Sequence, residues 1–143
     1  MKKLFVLIAG LLAAAAVAAT NASTANAPVR VTFDKHLVDA GTLTFAGTTD
    51  GDAPGTLTSQ VVAIEAVTGP VYHVTFDWFV SAGAKSFVAR TSGIWNTERG
   101  LVTMNGSVTS GYLTGAQVHE QGELVDASTL RFQGVIQVIP GTT

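Results

Sequence analysis

Residues 71–81 read VYHVTFDWFVS, the most regular alternation of apolar and polar side chains in the chain. Apolar residues fall on one side of this segment, at Tyr72, Val74, Phe76, Trp78 and Val80. Successive side chains of a strand point to opposite faces, so a period of two indicates a strand with one face in an apolar core. The segment therefore predicts a sheet with one buried side and one side facing solvent.

Similar alternating segments precede and follow this strand, and short runs of Gly, Asp, Asn, Pro and Thr that are typical of turns separate them. After position 28, no stretch of about 11 residues shows the apolar spacing of an amphipathic helix. The predicted strands span residues 29–38, 41–48, 56–66, 71–81, 86–95, 101–110, 115–125 and 130–139. We therefore expect an all-β protein.

Two of these strands carry an ambiguous pattern. In the fifth, Phe87 lies on one face while Val88 shares the other with Arg90, so the pattern leaves its inward face open. In the sixth, Asn105-Gly106 is also a strong signal for a two-residue hairpin turn. An unbroken strand is favoured there, because a hairpin would leave only residues 101–104 for the strand before it.

The connections between the predicted strands are short. A short turn cannot carry a parallel crossover, so consecutive strands are expected to pair in antiparallel fashion as an eight-stranded meander. Closing this sheet into a β-barrel removes both unpaired edges. A β-sandwich is the alternative, but Greek-key sandwiches usually need at least one long return connection. We therefore predict a closed barrel that forms a single domain over residues 28–143.

The first 27 residues have the composition of a secretory signal peptide. Lys2 and Lys3 precede an apolar run over residues 4–19, and small residues continue to Ala27. The apolar run is shorter than the roughly 20 residues that a membrane span requires. We expect cleavage between residues 19 and 27, a secreted or periplasmic location, and no stable membrane insertion after cleavage.

Charge and composition exclude several classes of function. After the leader the chain keeps six of its eight Lys and Arg residues and all ten Asp and Glu residues, which gives a formal charge of −4 and argues against nucleic-acid binding. The absence of cysteine excludes disulfides, thiolate metal ligands and a thiol nucleophile. His36, His73 and His119 fall on strands that are not neighbours, so neither a metal site nor a cofactor is expected.

The run Gly111-Tyr112-Leu113-Thr114-Gly115-Ala116, followed by a last strand rich in Val and Ile, resembles the small secreted antiparallel barrels of the allene-oxide-cyclase-like and dirigent-like group. The calycins are a more distant comparison. The resemblance implies an eight-stranded barrel whose lumen takes an apolar small molecule, in a protein that acts as a cyclising or coupling template or as a carrier. It assigns no functional residue to this chain.

Glu120 interrupts an otherwise apolar strand face, whose other members are Ala116, Val118, Gly122 and Leu124. A buried carboxylate costs several kcal/mol unless it is protonated or paired, so Glu120 is expected to meet Arg90, the Tyr112 hydroxyl or a bound ligand. A desolvated glutamate can also act as a general acid or base. The alternatives are a purely structural ion pair, or a bulge near Gly115 or Gly122 that turns Glu120 outward.

These observations favour a barrel that binds a small apolar or aromatic molecule in its lumen without a cofactor. The side chains expected to line this site are Tyr72, Phe76, Trp78, Arg90, Met104, Tyr112, Glu120 and Phe132. Two other functions stay open: a cofactor-free isomerase or cyclase that uses Glu120 as acid or base, and a structural or interaction domain with a filled core. The pattern of residues sets neither the ligand nor the oligomeric state.

Overall fold

The computed structural model describes residues 27–141, and within this range eight antiparallel strands form one closed barrel. The strands are β1 (Val29–Asp39), β2 (Thr44–Gly51), β3 (Gly55–Thr68), β4 (Val71–Ser81), β5 (Phe87–Asn96), β6 (Leu101–Gly111), β7 (Gln117–Asp126) and β8 (Arg131–Ile139), with a short 3-10 helix at Gly83–Lys85. Each strand pairs with its neighbours in sequence, and β8 closes on β1 with Ile136 opposite Val31. The predicted all-β meander and its closure are confirmed, and the sandwich is excluded.

The strand bounds follow the predicted alternation closely, except around the first turn. β4 has the predicted bounds, and β6 runs unbroken through Asn105-Gly106. β2 begins at Thr44 instead of Gly41 and continues to Gly51. The cause is Asp39, whose carboxylate accepts hydrogen bonds from the backbone N–H groups of Gly41 and Thr42 at 2.9 and 3.3 Å and so holds the preceding residues in a turn.

Inward-facing side chains from all eight strands fill the lumen. Six aromatic rings pack against one another mainly edge to face, at centroid distances of 5.2 to 6.1 Å: Phe33, Phe45, Phe76, Trp78, Trp95 and Phe132. We call the end of the barrel with the β1–β2, β3–β4, β5–β6 and β7–β8 turns the upper end, and the opposite end, where the described residues begin and end, the lower end. This aromatic cluster lies under the upper end.

Residues 1–26 of the predicted signal peptide lie outside the described residues, so its cleavage and the secretion of the protein stay predictions. Within residues 27–141, the structure contains no helix that is long and apolar enough to cross a membrane.

Several glycines lie where adjacent strands of the closed barrel approach too closely for a side chain. A Cβ atom on Gly106 would come within 1.8 Å of the Arg90 carbonyl oxygen, and one on Gly47 would come equally close to the carbonyl oxygen of Asp34. Tight coiling of strands in a small barrel produces such contacts, and glycine relieves them. The glycines in these strands are therefore a requirement of closure.

We predict that Gly106→Ala destabilises the barrel by about 1–3 kcal/mol, because the backbone of β5 must move to admit the methyl group. The matched control is Gly141→Ala, since a Cβ atom there meets nothing within 4 Å. Urea denaturation followed by circular dichroism measures both changes. Equal stability of the two variants would contradict the close approach of β5 and β6.

Candidate functional site

The upper half of the lumen contains a cavity of about 50 Å³. Its wall is apolar and aromatic, with Phe45, Phe76 and Phe132 among its members, except for the charged side chains of Lys35 and Glu120. Such a volume has room for a few water molecules or a ligand of a few heavy atoms. A larger groove of about 430 Å³ crosses the outer surface from β3 to β6, but no charged residue lines it. The lumen is therefore the place where buried charged groups and aromatic rings meet.

Lys35 projects from β1 into the lumen on the same face as Val31 and Phe33, and it is only 3% exposed. Its Nζ donates a hydrogen bond to the Ser59 hydroxyl of β3 at 3.1 Å. The same nitrogen lies 3.8 Å from the ring centroid of Trp78 and 4.2 Å from that of Phe76, with two more phenylalanine rings within 5.5 Å. Aromatic faces attract a cation, so these rings replace part of the hydration that the ammonium loses.

Glu120 projects into the same cavity from β7, between Met104 of β6 and Ile136 of β8, and is 2% exposed. Its Oε2 atom is buried and has no hydrogen-bond partner in the described part of the chain, and the same holds for the indole Nε1 of Trp95 in the cavity wall. A buried polar atom without a partner is uncommon in a protein interior. The cavity therefore presents one unpaired acceptor and one unpaired donor.

Lys35 and Glu120 share the cavity without contacting each other. The ion pairs found over residues 27–141 are Arg90–Asp77 and Arg131–Asp34, so the ammonium and the carboxylate in the lumen lie farther apart than 4 Å. Each charge has been removed from water, but neither is neutralised by a direct partner. Both side chains line the same cavity.

Burial shifts the pKa values of both groups in the direction that favours their uncharged forms. Desolvation lowers the pKa of Lys35 to about 8, and the carboxylate of Glu120 acts in the opposite direction. Desolvation likewise raises the pKa of Glu120 to about 7, against the pull of the Lys35 charge. The aromatic rings around Lys35 also favour its protonated form. An acid and a base that both exchange protons near neutral pH thus face one cavity.

The structure brings together only part of the predicted set of site residues. Phe76, Glu120 and Phe132 line the cavity, and Trp78 lies directly beneath Lys35. Met104 is buried opposite Glu120 on the neighbouring strand, outside the cavity wall.

Two aromatic residues of the predicted set also lie away from the cavity wall. Tyr72 packs behind the wall against the ring of Trp95 at a centroid distance of 6.4 Å. Tyr112 lies in the β6–β7 turn at the lower end of the barrel, away from Glu120.

Arg90 does not belong to the site, and its predicted place in the lumen is wrong. β5 points Phe87, Ala89 and Thr91 inward, which places Arg90 on the outer face. There its guanidinium donates two hydrogen bonds, of 2.7 and 2.8 Å, to the carboxylate of Asp77. Arg90 therefore cannot be the partner of Glu120.

Sequence reasoning missed Lys35, although a signal for it existed. Lys35 has the same strand parity as Val31 and Phe33, two apolar residues of the predicted first strand. It also missed Leu43 and Leu130 as cavity residues: the predicted strands 41–48 and 130–139 include them, but the structure places both in turns. Their positive φ angles, 51° and 48°, belong to a conformation that a strand pattern does not predict, and both side chains complete the upper wall of the cavity.

The three histidines lie on the outer face. His36 and His73 are exposed, and His119 is half-buried and contacts the side-chain oxygen of Asn105. Among the residues that the structure describes, no group of three His, Asp or Glu side chains is placed to hold a metal ion.

Comparisons of the chain with protein-family models, curated proteins and solved structures found no match. The resemblance to allene-oxide-cyclase-like and dirigent-like barrels therefore stays a prediction.

The two lumen charges predict an unusual dependence of stability on pH. Because the folded protein keeps the Glu120 proton to a higher pH than the unfolded chain does, stability falls as the pH rises from about 4.5 to about 7. Because folded Lys35 loses its proton more readily than in the unfolded chain, stability also falls as the pH drops from about 10.5 to about 8. These two groups therefore contribute a stability minimum near neutral pH.

Glu120→Gln should remove the acidic limb of this profile, because the amide does not titrate. The stability of the variant minus that of the unmodified protein should therefore be larger at about pH 7.5 than at about pH 5. Urea denaturation at both pH values measures this difference. Glu123→Gln is the control, since Glu123 is exposed on the same strand. Parallel pH profiles for all three proteins would show that Glu120 is not desolvated.

Proposed function

We propose that the barrel binds a small, neutral, largely apolar molecule that carries one hydrogen-bonding group. The observation that carries this proposal is the arrangement of Lys35 and Glu120, which face one apolar cavity without contacting each other. The unpartnered Oε2 atom of Glu120 adds to it, since a ligand hydroxyl can donate to that oxygen. The aromatic wall supplies the apolar contact that a ligand of this kind needs.

The charges of the cavity favour a neutral ligand over an ionic one. Lys35 and Glu120 have opposite charges when both are ionised, and no charge when the proton passes from one to the other. The cavity is therefore neutral in either state. A carboxylate or an amine cation would add one uncompensated charge in an apolar interior, which is costly. A hydroxyl or carbonyl group can accept a hydrogen bond from Lys35 without adding charge.

A contribution to stability does not account well for this pair. Buried ions are costly to desolvate, and hydrophobic residues of similar volume often replace them without loss of stability. Lys35 has one hydrogen bond and a cage of rings, while an oxygen of Glu120 has no partner. A group kept in such a state inside a cleft is typical of sites that bind or react.

The cavity opens near the upper end of β3. Ile64 lines it and is 44% exposed, so this side chain marks the boundary between the cavity and solvent. β3 pairs with β2 only as far as Gln60, and beyond that residue it is joined to β4 alone, apart from a hydrogen bond from the Val61 N–H to the Leu43 carbonyl. The access route therefore lies beside the edge of β3, where few backbone pairings must be broken.

Cyclopentanol is a suitable first probe because it is small, neutral and apolar and carries one hydroxyl group. The only two tryptophans of the chain, Trp78 and Trp95, lie beneath and in the wall of the cavity, so tryptophan fluorescence reports on occupancy. We expect saturable binding of cyclopentanol, with about ten-fold weaker binding of pentanoate and pentylamine because each buries a net charge.

The matched variants for this measurement are Val102→Phe and Val125→Phe. Val102 lines the cavity, so a phenyl ring there should fill it and abolish the fluorescence change. Val125 is exposed on β7, and the same substitution there should leave binding unaltered. Equal binding by the two variants, or none by the unmodified protein, would refute binding in the lumen.

The acid–base character of the cavity supports a second function, cofactor-free isomerisation or cyclisation. In such a reaction Glu120 would remove a proton next to a carbonyl group while Lys35 donates a hydrogen bond to the carbonyl oxygen. The opposite pKa shifts of the two groups favour this function, because both place proton transfer near neutral pH.

Exchange of the α-protons of cyclopentanone in D₂O, followed by NMR, tests this second function. We expect the protein to accelerate the exchange and Glu120→Gln to slow it by about ten-fold or more, with Glu123→Gln as the control. Exchange no faster than in protein-free buffer would eliminate proton transfer while leaving the binding proposal in place.

A further inference from the structure

Lys35 lies in surroundings that suit a nucleophilic amine. Its side chain is fully enclosed, its nitrogen has a single hydrogen bond, to Ser59, and it forms part of the cavity wall. An amine reacts with a carbonyl carbon only when it is unprotonated, and an apolar environment favours that form. Glu120 faces the same cavity and can take up the proton that Lys35 gives up, so the reactive form adds no net charge to the lumen.

We propose that Lys35 forms a reversible imine with a small apolar aldehyde held in the cavity. This inference rests on the proposed binding function and specifies one chemical class of ligand. The geometry carries it, because an enclosed primary amine and an enclosed carboxyl group border the same apolar space without neutralising each other.

The reaction balances with the groups present. The lone pair of Lys35 Nζ forms a bond to the carbonyl carbon, and the π electrons of the C=O bond move to oxygen. Glu120, which holds the proton given up by Lys35, donates it to the oxygen and takes one from the nitrogen, which gives a carbinolamine. The carboxyl group then protonates the hydroxyl group, and water leaves as the C=N bond forms, so that Glu120 is again a carboxylate. Counted from the ammonium form of Lys35, ammonium and aldehyde become protonated imine and water, and no oxidant or reductant is consumed.

The cage around Lys35 also suits the product. A protonated imine is a cation whose nitrogen replaces the ammonium over Trp78 and Phe76, so the same rings stabilise it. Glu120 then serves as its counter-ion across the cavity. The carbon chain of the aldehyde extends into the apolar part of the wall beside Phe45 and Phe132. The volume of about 50 Å³ restricts the aldehyde to a short chain.

The lysine content of the chain makes the test direct. The chain has four lysines, of which Lys2 and Lys3 belong to the predicted leader. Lys85 is the matched control, because it is exposed and its Nζ donates a hydrogen bond to the Asp52 carbonyl oxygen at 2.8 Å. The full-length protein is incubated with butanal and sodium cyanoborohydride, which reduces an imine to a stable amine, and the labelled positions are mapped by peptide mass spectrometry.

We expect Lys35 to be labelled at least about ten-fold faster than Lys85. Saturating cyclopentanol should protect Lys35 and leave Lys85 unaffected. Glu120→Gln should slow the labelling of Lys35 by about ten-fold, whereas Glu123→Gln should not change it. Lys35→Arg should abolish the fast label. Because this last variant removes a packed side chain, the two measurements on the unmodified protein decide the question if it does not fold.

The outcomes separate this inference from the function on which it rests. If cyclopentanol binds and Lys35 is labelled no faster than Lys85, imine formation is wrong and binding stands. If cyclopentanol does not bind and Lys35 is not labelled, both are wrong. Fast labelling that a bound alcohol does not prevent would overturn the placement of the reaction in the cavity.

Discussion

The pairing of β8 with β1 is the constraint from which the rest of the structure follows. Once Val29 to Lys35 pair with Val138 to Phe132, the sheet has no ends, and every strand must keep one fixed face toward the lumen. A one-residue slip in any strand would then expose its apolar set. Because each strand keeps one fixed face toward the lumen, a charged residue at an inward-facing position is buried as well, as Lys35 and Glu120 are. Closure thus determines both the apolar core and the two charged residues that are buried in it.

The interior accommodates these exceptions by different means. Lys35 is compensated by aromatic faces, which attract a cation but not a carboxylate, and by one hydroxyl group. Glu120 lies instead between Met104 and Ile136, where its remaining means of avoiding a buried charge is to hold a proton. The lumen therefore contains an amine whose neighbours can compensate a positive charge and a carboxyl group with one unpartnered oxygen, and this asymmetry distinguishes the two groups.

Alternation along single strands predicted the all-β class, most clearly in β4, and the short connections between the strands predicted the closed meander. Alternation also placed Glu120 on an apolar face, with a bulge that would turn it outward as the alternative. It failed at Arg90, where apolar residues on both faces of β5 left parity undecided and only pairing with β4 and β6 settles it. Lys35 was missed for a different reason: it has the inward parity of Val31 and Phe33, but a lysine in a strand gives no local sign that it is buried. The cavity depends on packing between strands that are distant in sequence, and no local pattern contains that information.

Two ion pairs lie on the outer surface of the barrel. Arg90 meets Asp77, and Arg131 meets Asp34 with two hydrogen bonds and further support from Gln133. Such pairs contribute little where water solvates both ions, whereas direct pairing matters most in the interior. Lys35 and Glu120, the two charged residues of the interior, nevertheless form no direct ion pair. A core shaped by stability alone would bring Lys35 and Glu120 into contact or replace both with apolar residues, so their burial beside one cavity without a direct contact supports the proposed binding of a ligand there.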